Sequence, residues 1–279
     1  MDYIFQKPDM DTVLAALILG WRTTDDIACV QGEASQAALK NQGVYCIECG
    51  GSGQTWLGNF DHHDHSLQLP PACVQAYEWM QQDDLELLSL VRYVGAVDTG
   101  TNMSGRDKSG LVLSNIFSGM RLFLSSEKDQ FRAGMTIFET VLAKRIDPWA
   151  TMPVLSEWSA YMSAKEKLRD DLSTYREHVL WFTTKMGLLG GFLECPLPGV
   201  HGLLRSFGCR VSIAAGLKYQ GKRMFSIAGD YMSVSSILPI LNVIEPGWGG
   251  PSHGGIVGSP RSGTSLEYGT IIEIVREGL

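Results

Sequence analysis

Trp56-Leu57-Gly58-Asn59-Phe60-Asp61-His62-His63 is the stretch that decides the fold. An apolar segment reading as a strand end gives way abruptly to a carboxylate and two imidazoles. Working outward, other acidic residues of the first hundred stand at similar places: Asp9 and Asp11 around Met10, then Glu48, then Asp98. Each follows a strand-like or apolar helical segment. Carboxylates and imidazoles gathered at such ends suit hard or borderline divalent metals, and open α/β sheets place their sites outside the carboxyl ends of strands.

The flanking pattern is strand then helix, repeated. Tyr3-Ile4-Phe5, Ile27 to Val30 and Val44 to Ile47 read as strands, and Val13 to Trp21 and Ala34 to Leu39 as helices. That spacing predicts parallel strands joined by crossover helices. Helical patterns follow over Cys73–Met80, Asp84–Val97, Leu111–Leu124 and Phe131–Arg145, with a break at Asp147-Pro148. From Leu155 to Met186 apolar residues recur at helical spacing, which predicts one long helix linking two domains. After residue 187 Gly and β-branched residues increase. Val211–Leu217 and Met224–Ala228 read as strands, Val234–Val243 as a helix, and Gly269–Val275 as a closing strand. The expected organisation is a parallel-sheet α/β domain over 1–150, a linking helix over 151–187 and a smaller α/β domain over 188–279.

Composition narrows the classes. The chain has 279 residues, 44% hydrophobic and 19% charged, which is ordinary for a globular protein. No apolar run reaches the 18 or so residues of a membrane span, and the N-terminus lacks the basic region of a signal peptide. A cytoplasmic location is expected, so the six Cys read as thiols, the Cys46/Cys49 pair among them. The net charge of −7 argues against a broad surface for coating nucleic acid.

The candidate residues each allow two readings. Asp9 and Asp11 serve either as metal ligands or as caps for the helix behind them. His62, His63 and His65 fall within four residues, either a metal-binding cluster or a solvated polar loop. Glu48 is a ligand if buried at the strand end, or exposed if the strand ends one residue early, and Asp98 is either a ligand or a turn former before Gly100. Gly249-Gly250-Pro251-Ser252-His253-Gly254-Gly255 offers backbone N–H groups that can wrap an anion, with His253 and Arg261 adding charge.

In order along the chain, these segments resemble the DHH phosphoesterase superfamily. Pro8-Asp9-Met10-Asp11 is similar to its first motif, Glu48-Cys49-Gly50-Gly51 to its second, Phe60-Asp61-His62-His63 to its third and Val97-Asp98-Thr99 to its fourth. The Gly-rich run continuing to Gly258 resembles the loop of the DHH-associated C-terminal domain. The resemblance implies a metal-dependent phosphoesterase with its site in the cleft between the domains. It implies up to two Mn²⁺ or Mg²⁺ ions on Asp9, Asp11, Glu48, His62 and Asp98. His63 and Asp61 would stand at the chemistry, and Gly249, Gly250, Ser252, His253, Gly254, Gly255 and Arg261 would hold substrate. The implied substrate is a small phosphodiester, a nucleotide second messenger or a short single-stranded oligonucleotide, attacked at phosphorus by water. Two departures stand out. Phe5 occupies the place of a family His, which implies a weak ion near Asp9, and Glu48 replaces an Asp. The other functions open to such a chain are a non-catalytic nucleotide- or phosphate-binding regulator with a degenerate metal site, and a pyrophosphatase-like phosphoanhydride hydrolase.

Overall fold

The computed structural model describes residues 1–64, 66–100, 112–216, 218, 221–250, 254–260 and 262–279. The chain divides into two compact units, Met1–Glu166 and Lys167–Leu279.

The first unit is built on four parallel strands: β1 (Asp2–Phe5), β2 (Asp26–Cys29), β3 (Val44–Ile47) and β4 (Asn59–Phe60), in the spatial order β2-β1-β3-β4. Helix α1 (Met10–Ile18) follows β1, and α2 (Gln36–Leu39) follows β2. The order reverses between β1 and β3, because the chain leaves β1 for β2 on one side and returns for β3 on the other. Such a switch point opens a crevice at the carboxyl ends of the strands. The register sets what stands there. Phe5 pairs with Ile47, and Ile47 with Phe60, so three strands end level and the residues after them emerge along one edge.

Local chemistry explains the element ends. Asp9 caps α1, its side chain accepting from the Thr12 N–H at 3.1 Å. The helix stops at Ile18, short of the expected Trp21, because Gly20 takes a left-handed φ of 83°. The Gly20 and Trp21 N–H groups then turn back to the Leu17 and Ala16 carbonyls, each at 3.0 Å, which satisfies the last turn. The segment expected as a strand over Trp56–Phe60 is a 3₁₀ turn at Thr55–Leu57 followed by the two-residue β4.

Helices α3 (Ala72–Trp79), α4 (Leu85–Asp98), α5 (Leu113–Phe123) and α6 (Glu127–Ala143) complete the unit. Nearly every residue of α1 is buried, since it lies between the sheet and α3, α4 and α6. Phe5, Phe60, Phe117, Phe131 and Phe138 anchor this core.

The expected single helix over 155–186 does not form. A 3₁₀ turn at Ser156–Trp158 leads into α7 (Ser159–Ser173), another follows at Arg176–His178, and Leu180–Thr183 is strand β5. The second unit holds a mixed sheet of β5, β6 (Leu189–Glu194), β7 (Val211–Ala215), β8 (Phe225–Gly229) and β9 (Ile256–Gly258), in that order. Only β6 and β7 run parallel, joined by α8 (Val200–Ser206). Helices α9 (Leu238–Ile244) and α10 (Tyr268–Gly278) share a core with Phe192, Ile213, Ile227 and Val257. Thus the segment expected as a closing strand, Gly269–Val275, is helical. Its buried residues Ile271, Ile274 and Val275 fall at i, i+3 and i+4, one face of a helix. No helix among the described residues is long and apolar enough to cross a membrane.

Candidate metal centre

The level strand ends bring the sequence-predicted groups together. Immediately after β3, Glu48 adopts a left-handed φ of 55°, a conformation that costs a non-glycine residue about 1–2 kcal/mol. Its N–H still donates to the Phe60 carbonyl at 2.9 Å, so the strain is confined to the turn that begins there. Gly50 and Gly51, with φ of 107° and 74°, complete that turn, and a Cβ on Gly51 would overlap the Asn59 side chain. The result aims Glu48 inward, 3% exposed, with Oε1 unpartnered among the described residues. Strain of this kind collects at functional sites.

His62 Nε2 lies 3.4 Å from Glu48 Oε2 and 3.4 Å from Asp98 Oδ2, the latter carried on the last residue of α4. Asp11, Asp98 and His62 present ligand atoms within 4.8 Å of one another, and Glu48, His62 and His63 do the same. Both groups contain His62, and one ring nitrogen has one lone pair. The two groups therefore overlap at His62, with Asp11 and Asp98 in one and Glu48 and His63 in the other.

The electrostatics point the same way. Burial pushes the Glu48 carboxyl up to about 8, with Asp9, Asp61 and Asp98 adding repulsion against the opposing pull of His63. Burial also pushes Asp11 up to about 8, reinforced by Glu48 and Asp98. Asp98 is raised, again first by burial. A buried acid cluster this short of positive charge is stabilised by a cation. Oxygen and imidazole donors suit Mn²⁺ or Mg²⁺, and the unpartnered Glu48 Oε1 is the atom such an ion would satisfy.

Asp11 has a second role. Its Oδ2 and Oδ1 accept the N–H groups of Ala72 and Cys73, each at 2.8 Å, so it caps α3 from another helix. Pro71, at the N-cap position, has no side chain to do this.

Two expected residues have side chains engaged by the protein itself. Asp61, expected at the chemistry, is 2% exposed and its carboxylate is taken up by the protein. It accepts from Gly50 N–H at 3.1 Å, from His63 N–H at 2.9 Å and from the Ser52 hydroxyl, and it faces His63 Nδ1 at 3.3 Å. Burial alone would raise its pKa, but these hydrogen bonds outweigh it and hold Asp61 well below the usual carboxylate range. Asp61 orients His63. Asp9, expected as a ligand, lies outside both ligand groups, with Oδ1 on Thr12 and Oδ2 3.0 Å from Lys7 Nζ.

His63 is 56% exposed, and hydrogen bonding to Asp61 raises its pKa despite burial. A cavity of about 270 Å³ adjoins the centre, lined by Asp9, Asp11, Asp98, Ser114, Ser118 and Arg121 over a floor that includes Val94, Val97 and Phe117. Lys7, Arg121 and Ser52 are the residues the motif reading missed. Only Lys7 carried a signal, as a cation two residues before Asp9.

In the second unit, part of the glycine loop is structural. Gly249 exchanges hydrogen bonds with Gly258, its N–H donating at 3.1 Å, so that group is not free for an anion as expected. A Cβ on Gly250 would overlap the Ile256 carbonyl. Gly254, at φ 67°, packs its Cα against Ser233 and Ser235, and its carbonyl accepts from Val234 N–H. The Gly255 carbonyl accepts from Gly229 N–H at 3.0 Å. Ser252, His253 and Arg261, as well as His65, lie outside the described residues.

The fold, a four-stranded parallel sheet with helices and a separate mixed five-stranded sheet, is shared with solved structures. The chain is similar to a pGpG-specific phosphodiesterase, PggH, from Vibrio cholerae: TM-score 0.58, 14% identity, 98% of this chain and 96% of that one covered. It is also similar to a DHH domain described as belonging to a family of ribosomal proteins: TM-score 0.54, 12% identity, 98% and 85% covered. No family model and no curated protein matches the chain.

Proposed function

We propose that this chain is a metal-dependent phosphodiesterase that hydrolyses a small nucleotide diester, such as a linear dinucleotide or a short oligonucleotide. The observation that carries the reading is the pair of ligand groups that overlap at His62, Asp11 and Asp98 in one and Glu48 and His63 in the other, with Glu48 held there by a left-handed backbone and one oxygen unpartnered. A divalent ion held there supplies Lewis acidity toward phosphate and a lowered pKa for water.

The remaining chemistry belongs to the chain's own residues. Asp61 and Glu48 engage His63 through Nδ1, so Nε2 is the nitrogen left for substrate. Its raised pKa favours the cationic ring, which donates a hydrogen bond to a non-bridging phosphate oxygen as charge develops there. Asp61 keeps the ring in place. The similarity to a pGpG-specific phosphodiesterase favours a dinucleotide over a long polymer, as does the net charge of −7.

The test is hydrolysis of pGpG and of 5′-labelled dinucleotides with added Mn²⁺. Turnover is expected in the native chain and not in His62→Ala or Asp98→Ala. Binding without turnover in the native chain would establish a regulator instead.

A further inference from the structure

One acidic residue of the cluster already has its cation. Lys7 Nζ stands 3.0 Å from Asp9 Oδ2, and the other Asp9 oxygen caps α1. A second divalent ion beside Asp9 would have to displace an ammonium and would find one half-committed carboxylate. An imidazole cannot reach it from β1, because Phe5 is fully buried and stacked on Phe131, 5.0 Å between centroids and 6° between planes. His62 Nε2 already faces Glu48 and Asp98, 3.4 Å from each. The donor set at Asp9 therefore does not fit a second ion.

A second cation lies close by. Arg121, in the last turn of α5, lines the same cavity as Asp9, Asp11 and Asp98, yet its guanidinium forms no ion pair among the described residues. Lys7 retains two further N–H donors, and its side chain is 54% exposed. Lys7 is tied to this cavity through its 3.0 Å pair with Asp9, which lines it together with Arg121, and Arg121 opposes the rise in the Lys7 pKa that Asp9 causes. Like charges held together in this way are relieved by an anion between them. A guanidinium fork and an ammonium are the usual pair for phosphate oxygens.

We propose that Lys7 and Arg121 grip the substrate's phosphate in place of a second metal ion, making this a one-ion centre with two side-chain cations. The proposal rests on the metal position assigned under the proposed function. It gives that site a specificity: a phosphoryl group carrying free non-bridging oxygens, held between Lys7 and Arg121 beside the ion.

Two measurements test it, and neither needs turnover. Calorimetric titration and elemental analysis count Mn²⁺ per chain. Calorimetry of the Mg²⁺-loaded protein with inorganic phosphate gives the affinity of the grip. The native chain should take one Mn²⁺. Lys7→Gln and Arg121→Gln should each keep that ion, which shows the centre is folded, and weaken phosphate binding about tenfold, as expected for loss of a charge-assisted hydrogen bond. Lys7→Arg should restore most of the affinity. Two Mn²⁺ of similar affinity in the native chain would overturn the proposal. So would unchanged phosphate affinity in both glutamine variants, or loss of the ion in either. An inert chain that still shows one ion and charge-dependent phosphate binding would refute the hydrolytic reading and leave the grip standing. Hydrolysis with two tight ions would do the reverse.

Discussion

Phe5 lies face to face with Phe131, ring centroids 5.0 Å apart and planes 6° from parallel. The ring that stands where the resemblance expects an imidazole is thus a core residue, fully buried between β1 and α6.

Phe5→Ala should lower stability by about 3–5 kcal/mol, the range for emptying a packed aromatic site. The sequence alone suggests that Phe5→His would strengthen a metal site. The stacking reverses that expectation, because a polar ring would be buried against Phe131. Phe5→His should lower the urea midpoint and add no Mn²⁺ binding. A gain of a second ion by calorimetry would contradict this.

Glu48 should show opposite effects on stability and on binding. Glu48→Gly relieves the left-handed backbone and removes a buried carboxylate with one unpartnered oxygen, against about 0.5–1 kcal/mol of added chain entropy. The metal-free variant should be more stable than the native chain by about 1 kcal/mol and should bind Mn²⁺ far more weakly. Denaturation with and without Mn²⁺ separates the two effects, and a destabilised metal-free variant would count against the strain.

Asp11 and Asp98 should behave differently, although both belong to the same candidate ligand group. Asp98→Ala removes a ligand from the end of α4 and should leave metal-free stability within about 0.5 kcal/mol. Asp11→Ala also strips two backbone N–H groups of α3 of their partner and should cost about 2 kcal/mol even without metal. Equal metal-free stabilities would show that Asp11 does not cap α3.

His201 makes the second unit sensitive to acid. Its Nδ1 and Nε2 lie 2.7 Å from the Ser212 and Ser226 hydroxyls, and burial, helped by Arg205, lowers its pKa to about 4. The folded pKa is below the unfolded value of about 6.5, so the unfolded chain takes up the proton first. Stability from this group is complete above about 6.5 and declines as pH falls towards 4, by at most about 3 kcal/mol. His201→Gln should flatten that part of the urea midpoint against pH. An unchanged slope would remove His201 as its source.

The elements around the motifs are legible in the sequence because their signals agree. Val44–Ile47 is apolar, contains β-branched residues and is followed by a turn, and it is β3 with the bounds the sequence suggests. Asp84 before an apolar periodic run marks α4. Failures come where two periods coincide. Leu168, Leu172, Tyr175, Val179 and Phe182 keep helical spacing by accident across the end of α7, while Leu180–Thr183 has the aromatic character of a strand. In α10 the β-branched composition of Thr270, Ile271, Ile272, Ile274 and Val275 masks the helical spacing of its buried face. The grouping of Asp11, Glu48, His62 and Asp98 near one another can be read from residue type and position. The job of Asp61 cannot, since it depends on Ser52 and Gly50 folding back across the turn.

The level finish of Phe5, Ile47 and Phe60 has a metric consequence. Neighbouring strands are spaced about 4.8 Å apart by their ladder of backbone bonds. Opposite donors around an ion with oxygen bonds of about 2.1 Å are separated by about 4.2 Å. The sheet is thus a ruler graduated close to the diameter of one coordination sphere, and side chains issuing from adjacent strand tips need only small adjustments to share an ion. Because the graduation comes from peptide groups, nearly every other residue can change without rescaling it. Chains only 12% and 14% identical can then keep one fold, with the same edge on offer to whatever chemistry their side chains bring.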